Sequence, residues 1–233
     1  MYCRSVNPLR SSYTLTTVAA GRYAIFHGGY ECGEERWRIE HTGEHLIVTG
    51  THELVAPHPL PNLQEFRVTL TPTWRPLGLE VLWHVGSRVL RARHAADSGK
   101  WRVRIEHEGQ IREQHGDFPD PCEVEFTSPL FQQFMLSRRD FQLGGEHEFP
   151  VLRIGPPHMA VSPERMLIRC VERGTWNAPW GRVAARRYVV SLPPAGEHEG
   201  YSYWADEQDR MLESFEGPEP GITWMRLVEY TRG

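Results

Sequence analysis

The chain has 233 residues and a mass of 26.9 kDa; 39% of its residues are hydrophobic, 24% are charged, and its mean hydropathy is −0.51. This length is enough to bury a substantial core, and no run of about 18 apolar residues is present that could form a membrane-spanning helix. The formal net charge of −4 argues against nonspecific nucleic-acid binding, so no nucleic-acid partner is expected.

The N-terminal segment, residues 1–20, contains no continuous apolar stretch of the length that a secretory signal needs. Export is therefore not predicted, and we expect a cytoplasmic protein. Residues 21–233 are predicted to form a single β domain, because the last five strands alone would make only a thin core.

The four cysteines, Cys3, Cys32, Cys122 and Cys170, are far apart and form no CxxC pair. Neither a disulfide framework nor a zinc knuckle is expected from this spacing. We expect reduced thiols, some of them buried, and Cys170 in particular lies in the middle of a predicted strand.

Strands are predicted from Gly21 onward, because apolar and polar residues alternate with a period of two. In QEFRVTLTP, Phe66, Val68 and Leu70 point to one face and the polar residues to the other, which is typical of antiparallel strands with one buried face. EERWRIEH (34–41), GLEVLWHVG (78–86) and KWRVRIEHEG (100–109) alternate in the same way. Further strands fit residues 22–27, 44–53, 87–94, 122–126, 165–173, 182–192, 200–205, 209–216 and 222–231. The fold class is therefore mainly β, a single curved antiparallel sheet in the form of a half-barrel or open barrel.

The triplet Gly-Glu-His occurs three times, at residues 43–45, 145–147 and 196–198. Glycine gives the backbone freedom that a hairpin turn needs, and HEGQ at 107–110 is predicted to be a turn of the same kind. The histidines, His45, His147 and His198, have no companion at the spacing of metal ligands. We interpret the triplets as exposed turns and expect no metal site.

One main helix is predicted over residues 129–137, covering the sheet. Ser128 is a suitable N-cap, Pro129 fits the first helical position, and Arg138 and Arg139 complement the negative end of the helix dipole. Its apolar side can either pack against the sheet or line a cavity.

Aromatic residues are abundant, with 8 Trp, 8 Tyr and 9 Phe. They can fill a closed core, or line an apolar pocket in a sheet that curves around a space. Arg169, Arg186 and Arg226 are each flanked at i±2 mainly by apolar residues, so they could lie on an inward face and hold an anionic head group. The opposite faces of these strands are equally apolar, so the pattern does not decide which face is inward.

Motifs of catalytic sites are missing: the sequence contains no GxSxG, P-loop, GxGxxG or HExxH. The acidic stretch ADEQD, with Asp206, Glu207 and Asp209, has no EF-hand pattern and is interpreted as a solvated turn. No catalytic residue and no cofactor is therefore predicted.

Two segments carry a resemblance to a known family. GRYAIFHGGYECGEERWRIE resembles the opening strands of bacterial proteins related to the periplasmic lipoprotein carriers of the LolA and LolB type. GTWNAPWGRVAARRYVVSL, followed by YSYWADEQDRMLESFE, is similar to their closing strands. The resemblance, shared with bacterial lipid- or glycolipid-binding proteins, implies a curved half-barrel that holds a hydrophobic ligand under a helical cover. The chain departs from the carriers in having no export signal or lipobox.

The function predicted from the sequence is noncatalytic binding of a hydrophobic or amphipathic, lipid- or glycolipid-like ligand in the cavity of the half-barrel. The residues predicted to line that cavity are Trp37, Trp83, Phe131, Phe134, Arg186 and Tyr188. One alternative is a hydrolase or isomerase that uses the same cavity, which a convergent histidine–acid pair, such as His84 with a carboxylate, would indicate. The other alternative is a structural protein whose sheet edges pair in a homodimer.

Overall fold

The computed structural model describes residues 15–97, 99–118, 122–155, 158–192, 200–208, 210–216 and 223–233. These residues form fifteen β-strands and one α-helix. The elements in chain order are β1 (Thr16–His27), β2 (Tyr30–His41), β3 (Leu46–Leu54), β4 (Asn62–Leu70), β5 (Pro76–Val85), β6 (Arg88–Asp97), β7 (Lys100–His107), β8 (Gln110–Asp117), β9 (Glu123–Glu125), α1 (Leu130–Leu136), β10 (Glu146–Gly155), β11 (Ala160–Ala178), β12 (Gly181–Ser191), β13 (Tyr201–Asp206), β14 (Met211–Glu216) and β15 (Thr223–Arg232).

All fifteen strands belong to one sheet, in the order β8-β7-β6-β5-β4-β3-β2-β1-β15-β14-β13-β12-β11-β10-β9. Every neighbouring pair is antiparallel except β9 and β10, which run parallel. The first and last strands lie side by side at the centre of the sheet, where Ala24 pairs with Arg226. The predicted fold class, a single curved and mainly antiparallel sheet with one helix, is therefore confirmed.

The sheet curls far enough for its two halves to meet. The backbone N–H of Val161, on β11, donates a 3.2 Å hydrogen bond to Oε1 of Gln114, on β8. The outermost strands β8 and β9 do not pair with each other, so within the described residues the barrel remains open along this seam.

Helix α1 lies inside the curled sheet, and all seven of its residues are buried. The face of the sheet toward this helix is called the inner face below, and the opposite face the outer face. The predicted helix, 129–137, is confirmed apart from its ends. The N-terminal cap position is Pro129, one residue later than expected, although Ser128 Oγ still accepts the N–H of Leu130 at 3.2 Å.

The two arginines after the helix hold its other end. Arg138 Nε donates to the carbonyl oxygen of Phe134 at 3.3 Å, which satisfies one of the carbonyls that a helix end leaves open. Arg138 and Arg139 both pair with the carboxylate of Glu123, which is buried. This pairing joins the end of α1 to strand β9.

Burial follows the predicted alternation closely. In β4, Asn62, Gln64, Phe66, Val68 and Leu70 are buried, and the residues between them are exposed or half-buried. The same alternation holds for β2 and β7 over the predicted segments. Polar residues at two of these inner positions of β4 already indicate that the interior is not uniformly apolar.

Strands β8 and β10 were not among the predicted strands. Seven of the eight residues of β8 are exposed, because the strand is an edge of the sheet and its inner side faces an open cleft. A strand exposed on both faces shows no apolar alternation. In β10, Pro150 and the consecutive apolar pair Val151 and Leu152 obscure the period.

The first Gly-Glu-His triplet lies in the turn between β2 and β3, as predicted, with Gly43 at φ +91°. In the second triplet, Glu146 and His147 already belong to β10. The third triplet, 196–198, lies outside the described residues. The predicted turn at 107–110 is confirmed as the connection between β7 and β8.

Cys32, Cys122 and Cys170 are free and buried, as expected for packed thiols. Burial raises the pKa of the Cys122 thiol to about 11 and also raises that of Cys170, which makes both thiols poor nucleophiles at neutral pH. In the part of the chain that the structure describes, no helix has the length and apolar character needed to cross a membrane.

Candidate ligand-binding site

A cleft of about 840 Å³ opens between β5–β8 and the start of β11. Its floor is apolar, formed by three nearly buried side chains: Trp83 is 6% exposed, Leu90 8% and Ile105 7%. Their strands β5, β6 and β7 are consecutive neighbours in the sheet, so the three side chains lie next to one another on the inner face. The volume is within the usual range for small-molecule sites.

The polar rim of the cleft comes from the β7–β8 hairpin. Its turn residues Glu108 and Gly109 have φ angles of +49° and +76°, the left-handed geometry of the tight hairpin turns that favour glycine. This turn sets the register that places Arg112 opposite Ile105, and therefore on the inner face beside the apolar floor. Gln110, Gln114, His107 and Arg88 also line this rim, together with one carboxylate, Glu113, which is bonded to Arg104 at 3.2 Å.

The Arg112 side chain is exposed and makes no hydrogen bond or ion pair within 4.0 Å of any described residue. Arg88, by contrast, is 3.9 Å from Glu108, with both side chains largely exposed. The cleft thus combines an apolar floor with one cation whose guanidinium is open to a ligand.

Trp83 is fixed by a hydrogen bond. Its indole N–H donates to Oδ1 of Asn62 at 3.0 Å, and Gln64 Nε2 donates to the same oxygen at 3.3 Å. Asn62 is in turn held by its own amide, which donates to the carbonyl of Leu60 at 2.8 Å. The ring is therefore oriented before any ligand arrives.

A second cleft, of about 540 Å³, shares His158 and Ala160 with the first. It lies between β10–β11 and β13–β15 and is more polar, because Glu125, Arg153 and Tyr201 line it. Arg153 Nε lies 3.4 Å from Glu125 Oε2. Desolvation, with Glu125 adding to it, holds the pKa of the half-buried Tyr201 well above its usual value, so the phenol stays protonated.

Among the residues predicted to line a cavity, Trp83 lines the cleft. Phe131 and Phe134 are almost fully buried on α1, where their ring centroids are 5.3 Å apart. Trp37 is buried on β2 with its ring centroid 6.2 Å from that of Tyr23. These three belong to the packed interior and lie apart from the first cleft.

Tyr188 and Arg186 share the inner face of β12. Tyr188 is fully buried, with its ring centroid 5.2 Å from that of Tyr203. The Arg186 guanidinium lies 6.0 Å from the Tyr188 ring centroid and 3.9 Å from Asp140. Of the other two arginines flanked by apolar residues, Arg169 is exposed on the outer face, and Arg226 binds Glu213 there at 2.7 Å.

The histidine–acid pair considered for an enzyme lies on the outer face. His84 Nε2 is 3.8 Å from Glu65, and neither residue lines the cleft. A different pair is buried in the interior: His52 Nδ1 is 3.0 Å from Glu35 Oε2, and Ser128 Oγ donates to Glu35 Oε1 at 2.7 Å.

In that buried cluster the hydroxyl of Ser128 is bonded to the carboxylate and not to the imidazole. A serine nucleophile needs an adjacent general base, which in the usual triad is the histidine. The cluster instead joins the start of α1 to strands β2 and β3. Over the described residues, no group of three or more His, Cys, Asp or Glu has the arrangement of a metal site.

No protein-family model matches the chain, and no curated protein matches it in sequence. Two solved bacterial structures are similar in fold. A β-barrel-like protein of the domain of unknown function DUF1849 from Brucella abortus has a TM-score of 0.63 at 6% identity, over 93% of this chain and 98% of that one. A DUF1089 family protein from Pseudomonas aeruginosa has a TM-score of 0.50 at 14% identity, over 76% of this chain and 87% of that one. At these identities the similarity shows a shared β-barrel-like fold.

Proposed function

We propose that the protein binds a hydrophobic or amphipathic ligand, lipid- or glycolipid-like, in the cleft above Trp83, without catalysis. One observation carries the proposal: an apolar floor of nearly buried side chains lies beside the exposed guanidinium of Arg112, which forms no ion pair with any residue that the structure describes. The resemblance of two sequence segments to the LolA and LolB carriers supports the same ligand class.

An acyl chain would lie along Trp83, Leu90 and Ile105, where each buried methylene contributes about 0.8 kcal/mol. Ordering of the ligand and desolvation offset a large part of this gain. An anionic head group would lie at the rim, where Arg112 can donate two parallel hydrogen bonds to a carboxylate or phosphate. The interior itself is occupied by α1, whose residues are all buried.

The test is a fluorescence titration with a naphthalene-sulfonate dye, followed by displacement with fatty acids. We expect Leu90→Gln to weaken binding about tenfold, because it replaces an apolar part of the floor by an amide. Val89→Gln is the matched control, since Val89 is the neighbouring residue, 45% exposed, on the opposite face of the same strand.

Equal weakening by the two substitutions, or the absence of any dye or fatty-acid binding tighter than about millimolar, would refute the proposal. Native mass spectrometry of the purified protein complements the titration. It detects a ligand retained during purification and, in the same spectrum, the homodimer that we considered as an alternative.

A further inference from the structure

The outer face of strands β4–β7 carries a shallow depression of about 810 Å³, on the side of the sheet opposite the ligand cleft. Its centre contains the small residues Gly78, on β5, and Ala95, on β6, which are directly paired in the sheet. Three exposed arginines surround this centre: Arg67, Arg93 and Arg102. We refer to this feature as the arginine depression.

Sheet register fixes the positions of the three arginines. Arg67 and Arg93 are both paired with Glu80, from either side, so their strands lie about 10 Å apart. Arg102 is paired with Ala95. Since arginine side chains are long and the central residues are small, the three guanidinium groups can converge above the centre.

None of these three arginines makes a hydrogen bond, or an ion pair within 4.0 Å, with any residue that the structure describes. Arg93 is directly paired with Arg104 across the β6–β7 ladder, and like charges in directly opposite positions are destabilising. An anion held by Arg93 would offset part of this repulsion.

Acidic residues only partly compensate the positive charge. Four arginines and two carboxylates, Glu80 and Glu113, line the depression, and Arg104 is bonded to Glu113 at 3.2 Å and to Glu106 at 2.9 Å. The pKa of Glu106 is lowered, first by the hydrogen bond from Arg104 and then by the positive charges of Arg104, Arg93 and Arg91. The local field is therefore positive although the chain as a whole has a net charge of −4.

We propose that the arginine depression is a binding site for a phosphoryl group, held by Arg67, Arg93 and Arg102 above Gly78 and Ala95. Arginine has a planar fork of donors that matches the oxygens of phosphate, and three of them suit a group with several acceptor oxygens and more than one negative charge. Two sources share this chemistry: a soluble phosphorylated molecule and the head group of an anionic lipid.

The experiment uses the full chain at low ionic strength, with two probes. Inorganic pyrophosphate is titrated by calorimetry, and vesicles of phosphatidylglycerol are tested by cosedimentation against vesicles of phosphatidylcholine. The test variant is the triple substitution Arg67→Gln, Arg93→Gln and Arg102→Gln. The matched control is Arg169→Gln, Arg173→Gln and Arg182→Gln, which removes the same charge from exposed arginines of the other half of the sheet, also without ion pairs among described residues.

We expect the test variant to weaken binding about tenfold or more and the control to change it less than about twofold. Glu80→Gln is expected to strengthen binding, because it removes the carboxylate between Arg67 and Arg93. Binding of pyrophosphate alone assigns a soluble ligand, whereas selective cosedimentation that is lost in the test variant assigns a lipid head group. Equal weakening in both triple variants, or binding of neither probe, would overturn the proposal.

Discussion

The hydroxyl of Ser128 donates a 2.7 Å hydrogen bond to Oε1 of Glu35, although 93 residues separate them in the chain. Both side chains are buried, and the other oxygen of Glu35 lies 3.0 Å from Nδ1 of His52. The Ser128 oxygen also accepts the N–H of Leu130 at 3.2 Å. One buried carboxylate thus connects the barrel wall to the start of the internal helix.

Removing the hydroxyl should therefore destabilise the fold. Ser128→Ala leaves one oxygen of a buried carboxylate and one helix N–H without their partner, which costs about 1–3 kcal/mol. Urea unfolding, followed by tryptophan fluorescence, measures the change. Ser87→Ala, in the exposed turn between β5 and β6, is the control and should change stability by less than about 0.5 kcal/mol. Equal effects would show that the Glu35 contact is not stabilising.

The aromatic side chain of Phe134 is expected to stabilise the interior. It is 1% exposed, and its ring centroid is 6.0 Å from that of Trp74 and 5.3 Å from that of Phe131. Phe134→Ala should lower the free energy of unfolding by about 3–5 kcal/mol, because it leaves a cavity in a packed core. Leu143→Ala, at a 51% exposed position, is the control. A Phe134→Ala protein of unchanged stability but altered dye binding would instead indicate a ligand-lining role.

The strands could be predicted from the sequence because alternation is a local signal. The period alone predicts that Phe66, Val68 and Leu70 are buried, and the structure has all three buried. The position of α1 could not be predicted in the same way, because it depends on contacts between distant segments. Even the polar side chains Gln132 and Gln133 are buried, because the sheet closes around the helix from both sides.

The candidate site was predictable only in part. Trp83 was identified because it is a large ring on an alternating strand. Leu90, Ile105 and Arg112 were missed, although a signal for Arg112 was present. The predicted turn at 107–110 fixes the hairpin register, and this register places Arg112 opposite Ile105. The meeting of this hairpin with β11 across the open seam depends on the curl of the whole sheet, which no local pattern encodes.

His94 should make stability depend on pH. Its two ring nitrogens are buried and have no hydrogen-bond partner among the described residues. Desolvation lowers the pKa of His94 to about 4, whereas an unfolded histidine has a pKa of about 6.5. Between these values the unfolded chain binds a proton that the folded chain does not. The stability that the folded chain gains from keeping His94 neutral is therefore fully present above about pH 6.5. It is lost as the pH falls toward 4.

We expect the free energy of unfolding to decrease by about 1–2 kcal/mol between pH 7.5 and pH 5 through this residue. His94→Leu should remove that part of the pH dependence, as measured by urea unfolding at both pH values. His147→Leu, at an exposed position of β10, should leave the pH dependence as it is in the wild type. The same slope in the His94→Leu protein as in the wild type would contradict the assignment.

Arg112 should strengthen the binding of anionic ligands and leave the binding of uncharged ligands of the same chain length unchanged. The guanidinium lies at the rim, opposite Ile105 of the apolar floor, and forms no ion pair with a described residue. Arg112→Gln should weaken binding of a fatty acid about two- to fivefold, the range for an exposed charge pair, and leave binding of the fatty alcohol of equal chain length unchanged. Dye displacement measures the affinity for both ligands.

Arg91→Gln, which removes another exposed arginine from the outer face, is the control for net charge. A loss of fatty-acid binding that is equal in the two variants, or that extends to the alcohol, would mean that Arg112 does not contact the head group.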